Sequence, residues 1–437
     1  MRFTSTRDGG LTATLSEAIR QGIAPDGGLY VPARFPSFRV ADFDGADTLA
    51  EVAERLLAPF FARDPLSGCL SAIVREAFSF PAPLKDLPRG AGRLSVLELF
   101  HGPTAAFKDF GARFLAACLE RQPHEAGRPV TILVATSGDT GGAVAAAFHG
   151  KPWARVVVLY PEGLVSRRQQ QQLTCWGDNV TSLAVAGTFD DCQRMVKEAF
   201  ADPELQSRFE LSSANSINIG RLLPQSVYYA AGSLEVWRRE GQAAGFIVPS
   251  GNLGNVVACL WARLMGLPIG PIELAHNANR TVPDFLSSGE WQPRPGLATL
   301  ASAMDVGNPS NMERLRWLSP DWRELASQVK AHSITDERIR ARIRADYRAL
   351  GETWCPHTAT AAEVYATMPA TQRGERRWVL VATAHPAKFD EIVEPLVATR
   401  VPVPPGLAAL LGLPSRFTRI PANLAGLKAA LGGEGPS

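Results

Sequence analysis

Lys108 lies in the small-residue stretch His101 to Gly111, HGPTAAFKDFG, between Phe107 and Phe110. An apolar site strips water from a lysine ammonium, lowers its pKa and favours the neutral amine that Schiff-base chemistry needs. The commoner fate of an isolated lysine is to snorkel its head into water. Two glycine-rich loops offer a second kind of chemistry. Thr136 to Gly142 (TSGDTGG) follows the apolar run VTILVA and opens a helix of small residues; Ser250 to Asn255 (SGNLGN) links GFIVP to NVVACLWARLMG. Amides at a helix N-terminus attract anions, and nearby hydroxyls help them. One loop could hold a phosphate and the other a carboxylate. Glycine loops also serve as plain tight turns that let helices pack on strands. Neither loop is the dinucleotide fingerprint, and no phosphate-binding G-x-x-x-x-G-K-[ST] run occurs.

The elements that must position these loops are short β-branched runs alternating with Ala-rich helical stretches from Leu94 onward. VTILVAT precedes GGAVAAAF, ARVVVLY precedes SRRQQQQL, and RWVLVAT precedes FDEIVEPLV. Buried apolar strands alternating with helices predict a parallel α/β architecture with both sheet faces covered. A cleft between two α/β lobes then lies at the carboxyl ends of the strands. The expected division is an N-terminal, partly helical segment over 1–93, one lobe over 94–235 and a second over 236–437. Residues 315–375 are charged and helical and read as surface helices. The tail after Pro402 ends in GGEGPS and reads as a frayed terminus.

Bulk numbers exclude several classes. The 437 residues call for two or three packed domains. Lys+Arg 45 against Asp+Glu 43 gives no electrostatic case for nucleic acid or an anionic membrane. The six cysteines are scattered singly, which argues against a disulfide framework or zinc ribbon and fits a reducing cytoplasm. No stretch approaches eighteen uninterrupted apolar residues, and the N-terminus has no apolar h-region. The histidines lack metal-ligand spacing, so no metal is expected.

Taken together, HGPTAAFKDFG, ATSGDTGGAV, SSANSINIGRLLPQ, VPSGNLGN, SAMDVGNPSN, PHTATAA and TAHPAKF resemble the threonine synthase family. They span residues 94–389 in the family's order, and the N-terminal STRD and APDGGLYVP segments match as well. The resemblance implies a fold-type II pyridoxal 5'-phosphate enzyme with its cofactor in the cleft between the two lobes. Lys108 is then the lysine that carries the cofactor and shuttles protons, with Phe107 beside it. By similarity, Gly251, Asn252, Leu253, Gly254 and Asn255 hold the cofactor phosphate, Asp139 lies near its phenolic oxygen, and Thr383 faces the pyridine nitrogen. The substrate side falls to Thr104, to Thr136, Ser137, Gly138 and Thr140 for a carboxylate, and to Asn215, Ser216, Asn218, Arg221 and Lys388 for a phosphate. The plainer roles are helix capping for Asn215 and Asn218 and a carboxylate partner for Arg221. Among the histidines in matched motifs (His101, His149, His357 and His385), His101 and His385 are the better functional candidates.

The implied reaction converts O-phospho-L-homoserine and water into L-threonine and phosphate, in a cytoplasmic monomer or homodimer. Three rivals are a related lyase that releases 2-oxobutyrate, a silent sensor of a phosphorylated metabolite, and a nicotinamide oxidoreductase. An intact Lys108 argues against the sensor, and the missing dinucleotide fingerprint argues against the oxidoreductase.

Overall fold

The computed structural model describes residues 1–124 and 128–432. Three sheets organise the chain. Near the N-terminus, β1 (Phe3–Ser5), β2 (Thr12–Ala13) and β3 (Tyr30–Pro32) form a small antiparallel sheet in the order β2-β1-β3. Helix Leu15–Gln21 lies between β2 and β3 and helix Leu49–Phe61 comes after β3, each opened by a threonine–glutamate capping box. The first 93 residues therefore hold strands as well as the expected helices.

A six-stranded sheet runs β12-β11-β10-β13-β5-β4. It contains β4 (Leu84–Asp86), β5 (Leu94–Glu98), β10 (Ala244–Pro249), β11 (Ile269–His276), β12 (Val329–Ser333) and β13 (Trp378–Ala382). All its pairings are parallel except that of the edge strand β4. A five-stranded parallel sheet runs β14-β8-β7-β6-β9. Its strands are β6 (Val130–Ala135), β7 (Ala154–Pro161), β8 (Val180–Ala186), β9 (Glu210–Ser213) and β14 (Thr418–Pro421). Every residue of β6, β10 and β13 is buried, as a parallel sheet covered on both faces requires.

The lobes are α/β as expected, but their strands do not divide at residues 93/94 and 235/236. β5 joins the sheet built from residues after 236, and β14 joins the sheet of the earlier lobe. Local pattern identifies a strand; it does not say which neighbour completes its hydrogen bonds. Two further expectations change. Residues 315–375 contain β12 and a helix, Pro356–Thr367, in which ten of twelve residues are buried. Its small side chains let it pack inward, and the charged surface belongs to helix Asp336–Leu350. The tail, rather than fraying from Pro402, builds helix Pro405–Leu411, β14 and helix Leu424–Gly432; residues 433–437 lie outside the described part.

The N-terminal segment backs the functional region. Phe61 meets Phe114 edge-on, and Phe110 is wedged among Phe78, Phe80 and Tyr228. These rings hold the helix Lys108–Glu120 from behind.

Candidate active site

Chain segments that follow the carboxyl ends of β5, β6, β9, β10 and β13 meet around one cavity. Its walls include Phe107, Lys108, Asp139, Ser216, Gly251 to Asn255, Met304, His357 and Thr383. The segment between β5 and the Lys108 helix is pinned to the end of β13. The Leu99 amide donates to the Ala382 carbonyl at 3.0 Å, and the Phe107 amide donates to the Thr383 carbonyl at 2.8 Å. Within that segment Asp109 accepts from the Thr104 amide at 2.9 Å and from its hydroxyl at 2.6 Å. Glycine is required at Gly102, where a Cβ would lie 2.4 Å from an Asp109 oxygen. Thr104 thus braces the turn that presents Lys108, and its hydroxyl is already engaged.

The Lys108 amine sits 4.7 Å from the centroid of the Phe107 ring, and the residue lines the cavity. Burial lowers its pKa to about 8, Arg221 pushes the same way, and Asp139 opposes them. At that value about one molecule in ten carries the neutral amine at pH 7, against roughly one in three thousand at the ordinary value. Only the neutral form attacks an aldehyde. The reaction of Lys108 with pyridoxal phosphate in cofactor-free protein is therefore expected to accelerate with rising pH up to about 8 and then to level off. Stopped-flow absorbance across pH 6 to 10 measures this; a rate still climbing at pH 10 contradicts it.

The Ser250 to Asn255 loop is an anion cradle. Leu253 adopts φ +62°, and a Cβ on Gly251 would lie 2.7 Å from the Met304 backbone. The helix Gly254–Leu264 begins there. Among the described residues, no protein acceptor receives the amides from Gly251 to Val256. Asn255 uses its side-chain oxygen to accept from the Tyr228 and Tyr229 hydroxyls, both at 2.7 Å. This leaves its buried Nδ2 without a partner. A dianion with several oxygens is what such a donor set lacks.

In the facing loop, the Thr136 hydroxyl accepts from the Gly138 and Gly141 amides, both at 2.9 Å, so it shapes the turn. Gly138 has φ +132°, with Gln169 packed where a side chain would go. Ser137 and Thr140 are half-buried, and among the described residues their hydroxyls have no protein partner. Asp139 is buried and bound by Lys388 at 2.7 Å and by Gln169 at 2.9 Å. Burial pushes its carboxyl upward, but the Lys388 ammonium foremost, with the Gln169 hydrogen bond, outweighs that and holds it below the ordinary range.

The residues expected to bind phosphate separate into two groups. Asn215 clasps the Ala135 amide and carbonyl at the end of β6. Asn218 donates to the Ile19 and Ser213 carbonyls and caps the turn Ile219–Leu222 through the Gly220 amide. Lys388 is wholly buried between Asp139 and the Thr104 carbonyl, the latter at 2.9 Å. These three brace the scaffold. Ser216 lines the cavity. Arg221 is 2 % exposed and donates to the Ala214 carbonyl, and among the described residues no carboxylate pairs with it. Burial lowers its pKa to about 10, so it remains a guanidinium near Lys108. A buried cation without a counter-charge favours an incoming anion.

Thr383 lines the cavity, and among the described residues its hydroxyl has no protein partner. The histidines reverse their expected order. His101 pairs with Glu98 at the surface, and His385 accepts from the Ala387 amide at 3.1 Å. His357 instead reaches the cavity; its Nε2 accepts from the Ala303 amide at 3.1 Å. Burial lowers its pKa to about 4, so it is neutral with its hydrogen on Nδ1. Gln225 and Met304 also line the site; they fall within the motifs SSANSINIGRLLPQ and SAMDVGNPSN, but no role at the site was expected of either.

Family models match almost the whole chain: "Threonine synthase N terminus" over 2–78, "Pyridoxal-phosphate dependent enzyme" over 78–384 and "Threonine synthase, C-terminal" over 358–431. The threonine synthase of Serratia marcescens is 40% identical over 438 residues, with 99% of each chain covered. The chain belongs to the threonine synthase family. The solved threonine synthase of Escherichia coli superposes with a TM-score of 0.90 at 38% identity, covering 99% of this chain and 100% of that one. The threonine synthase of Brucella melitensis, solved with pyridoxal phosphate bound, gives 0.89 at 32% identity over the full length of both chains. As expected of this family, the cavity fits pyridoxal phosphate. It combines a desolvated lysine with free amides and the orphaned Asn255 Nδ2.

Proposed function

We infer that this chain is a pyridoxal-phosphate lyase that converts O-phospho-L-homoserine and water into L-threonine and phosphate, the last step of threonine biosynthesis. The observation that carries this reading is the desolvated Lys108 amine opening on the same cavity as the Gly251 to Asn255 cradle. In the substrate, oxygen on Cγ leaves as phosphate; in the product, the hydroxyl stands on Cβ. Protons must therefore leave Cα and Cβ and return to Cγ and Cα. The bound cofactor supplies an electron sink, conjugated through the substrate nitrogen, that makes those protons acidic. Lys108 carries them, because an amine with a pKa of about 8 can take and return a proton near neutral pH.

In this reading the Gly251 to Asn255 loop holds the cofactor phosphate, and Thr383 faces the ring nitrogen with a hydroxyl that does not enforce its protonation. Asp139 lies toward the phenolic oxygen with its charge already matched by Lys388. Ser137 and Thr140 take the substrate carboxylate, and Ser216 with Arg221 takes its phosphate. The ligand is this small molecule, and the expected setting is a cytoplasmic monomer or homodimer.

Product analysis of the cofactor-loaded protein with O-phosphohomoserine tests the reading. Threonine and phosphate are expected in equal amounts. Phosphate accompanied by 2-oxobutyrate makes the chain an ammonia-releasing lyase instead. No product and an unchanged cofactor spectrum rule out the substrate.

A further inference from the structure

Ser216 carries the best-determined hydrogen in the cavity. A serine hydroxyl has one proton and two lone pairs. Its oxygen receives the Asn252 Nδ2 at 3.0 Å and the Asn311 Nδ2 at 3.1 Å. Neither amide can be flipped. The Asn252 Oδ1 accepts from the Ser310 amide at 2.6 Å, so Nδ2 must face Ser216. The Asn311 Oδ1 accepts from Arg314 at 2.6 Å, and its Nδ2 also donates to the Asn252 carbonyl at 2.9 Å. A flip would set donor against donor and acceptor against acceptor. Arg314 is itself wholly buried and locked onto the Tyr30, Ser216 and Ile217 carbonyls. With both lone pairs of Ser216 engaged, its hydrogen must be donated. Among the described residues no protein group receives it.

We propose that Asn311 and Asn252 are positioning residues that make Ser216 an obligate hydrogen donor to a phosphoryl oxygen in the cavity; the proposal rests on the functional reading above. A fully ionised phosphoryl oxygen only accepts. A protonated one must also place a hydrogen, and Ser216 has no lone pair left for it. The pair of asparagines therefore fixes Ser216 as a donor to an unprotonated phosphoryl oxygen. Two groups carry that chemistry: the substrate's phosphate, to which the reading above assigns Ser216, and the cofactor's.

The test is a double-mutant cycle. Asn311→Asp keeps an acceptor for Arg314 but offers Ser216 a carboxylate, toward which its hydrogen turns. Two constants are measured: dissociation of pyridoxal phosphate from the cofactor-free protein by fluorescence, and inhibition of the holoenzyme by inorganic phosphate. One of them is expected to weaken by roughly tenfold or more, the size of a lost hydrogen bond to a charged group. The constant that moves identifies the source of the phosphoryl oxygen. In a Ser216→Ala background the same substitution is expected to do nothing further. Asn252→Asp, which keeps its bond to the Ser310 amide, repeats the cycle if Asn311→Asp does not fold. Both constants within twofold of wild type, or an effect undiminished without Ser216, overturn the proposal. Intact coupling in a protein that does not turn over O-phosphohomoserine would sink the functional reading and leave this inference standing.

Discussion

Lys108→Ala is expected to lower kcat for threonine formation at least a thousandfold with the cofactor supplied in excess. General acid–base catalysis by a positioned group contributes about 10²–10⁴ in rate, and this lysine also holds the cofactor covalently. The cavity offers no substitute. His357 is neutral, with its Nε2 occupied by the Ala303 amide, and Lys388 is shut between Asp139 and Thr104. Lys108→Arg is expected to fail too, because a guanidinium keeps its proton at neutral pH. Added methylamine should restore part of the proton transfer in the alanine variant. A loss below tenfold in steady-state assays would remove Lys108 from the chemistry.

Lys388→Met is expected to destabilise the cofactor-free protein by about 3–5 kcal/mol, the cost of stranding one member of a buried ion pair. Lys388 is 0 % exposed and Asp139 4 %, so the carboxylate left behind is poorly hydrated. Asp139→Asn in the same chain is expected to recover most of the loss, since it removes the uncompensated charge. Urea unfolding without cofactor reads both numbers free of ligand linkage. The experiment also separates two roles. A lysine that bound substrate phosphate would raise KM and leave stability nearly unchanged. The pairing with Asp139 predicts the reverse order of effects.

What the sequence disclosed was whatever is encoded locally. The strand–loop–helix units at Thr136 and Ser250 were legible because apolar runs, glycines and small-residue helices adjoin in the chain. Lys108 stood out by its aromatic neighbours, and the fold class followed from alternation alone. Local pattern is silent where a polar side chain finds its partner far away. Asn218 meets the Ile19 carbonyl across 199 residues, and Lys388 meets that of Thr104 across 284. In sequence such residues look the same whether they face a ligand or a backbone carbonyl. His357 gives no sign of its place for a related reason. Only packing of its helix against the six-stranded sheet brings the ring to the cavity. The lobe boundary failed because strand order is a tertiary property: β5 and β14 each cross to the sheet that a simple division assigns to the other lobe.

The central claim is that phosphate leaves by carbon–oxygen cleavage and that water then enters at Cβ. Turnover of O-phosphohomoserine in ¹⁸O-labelled water, followed by mass spectrometry of both products, tests it directly. One labelled oxygen in the threonine hydroxyl and none in the phosphate is the predicted result. Label in the phosphate would mean attack at phosphorus, and the account of this site would be wrong.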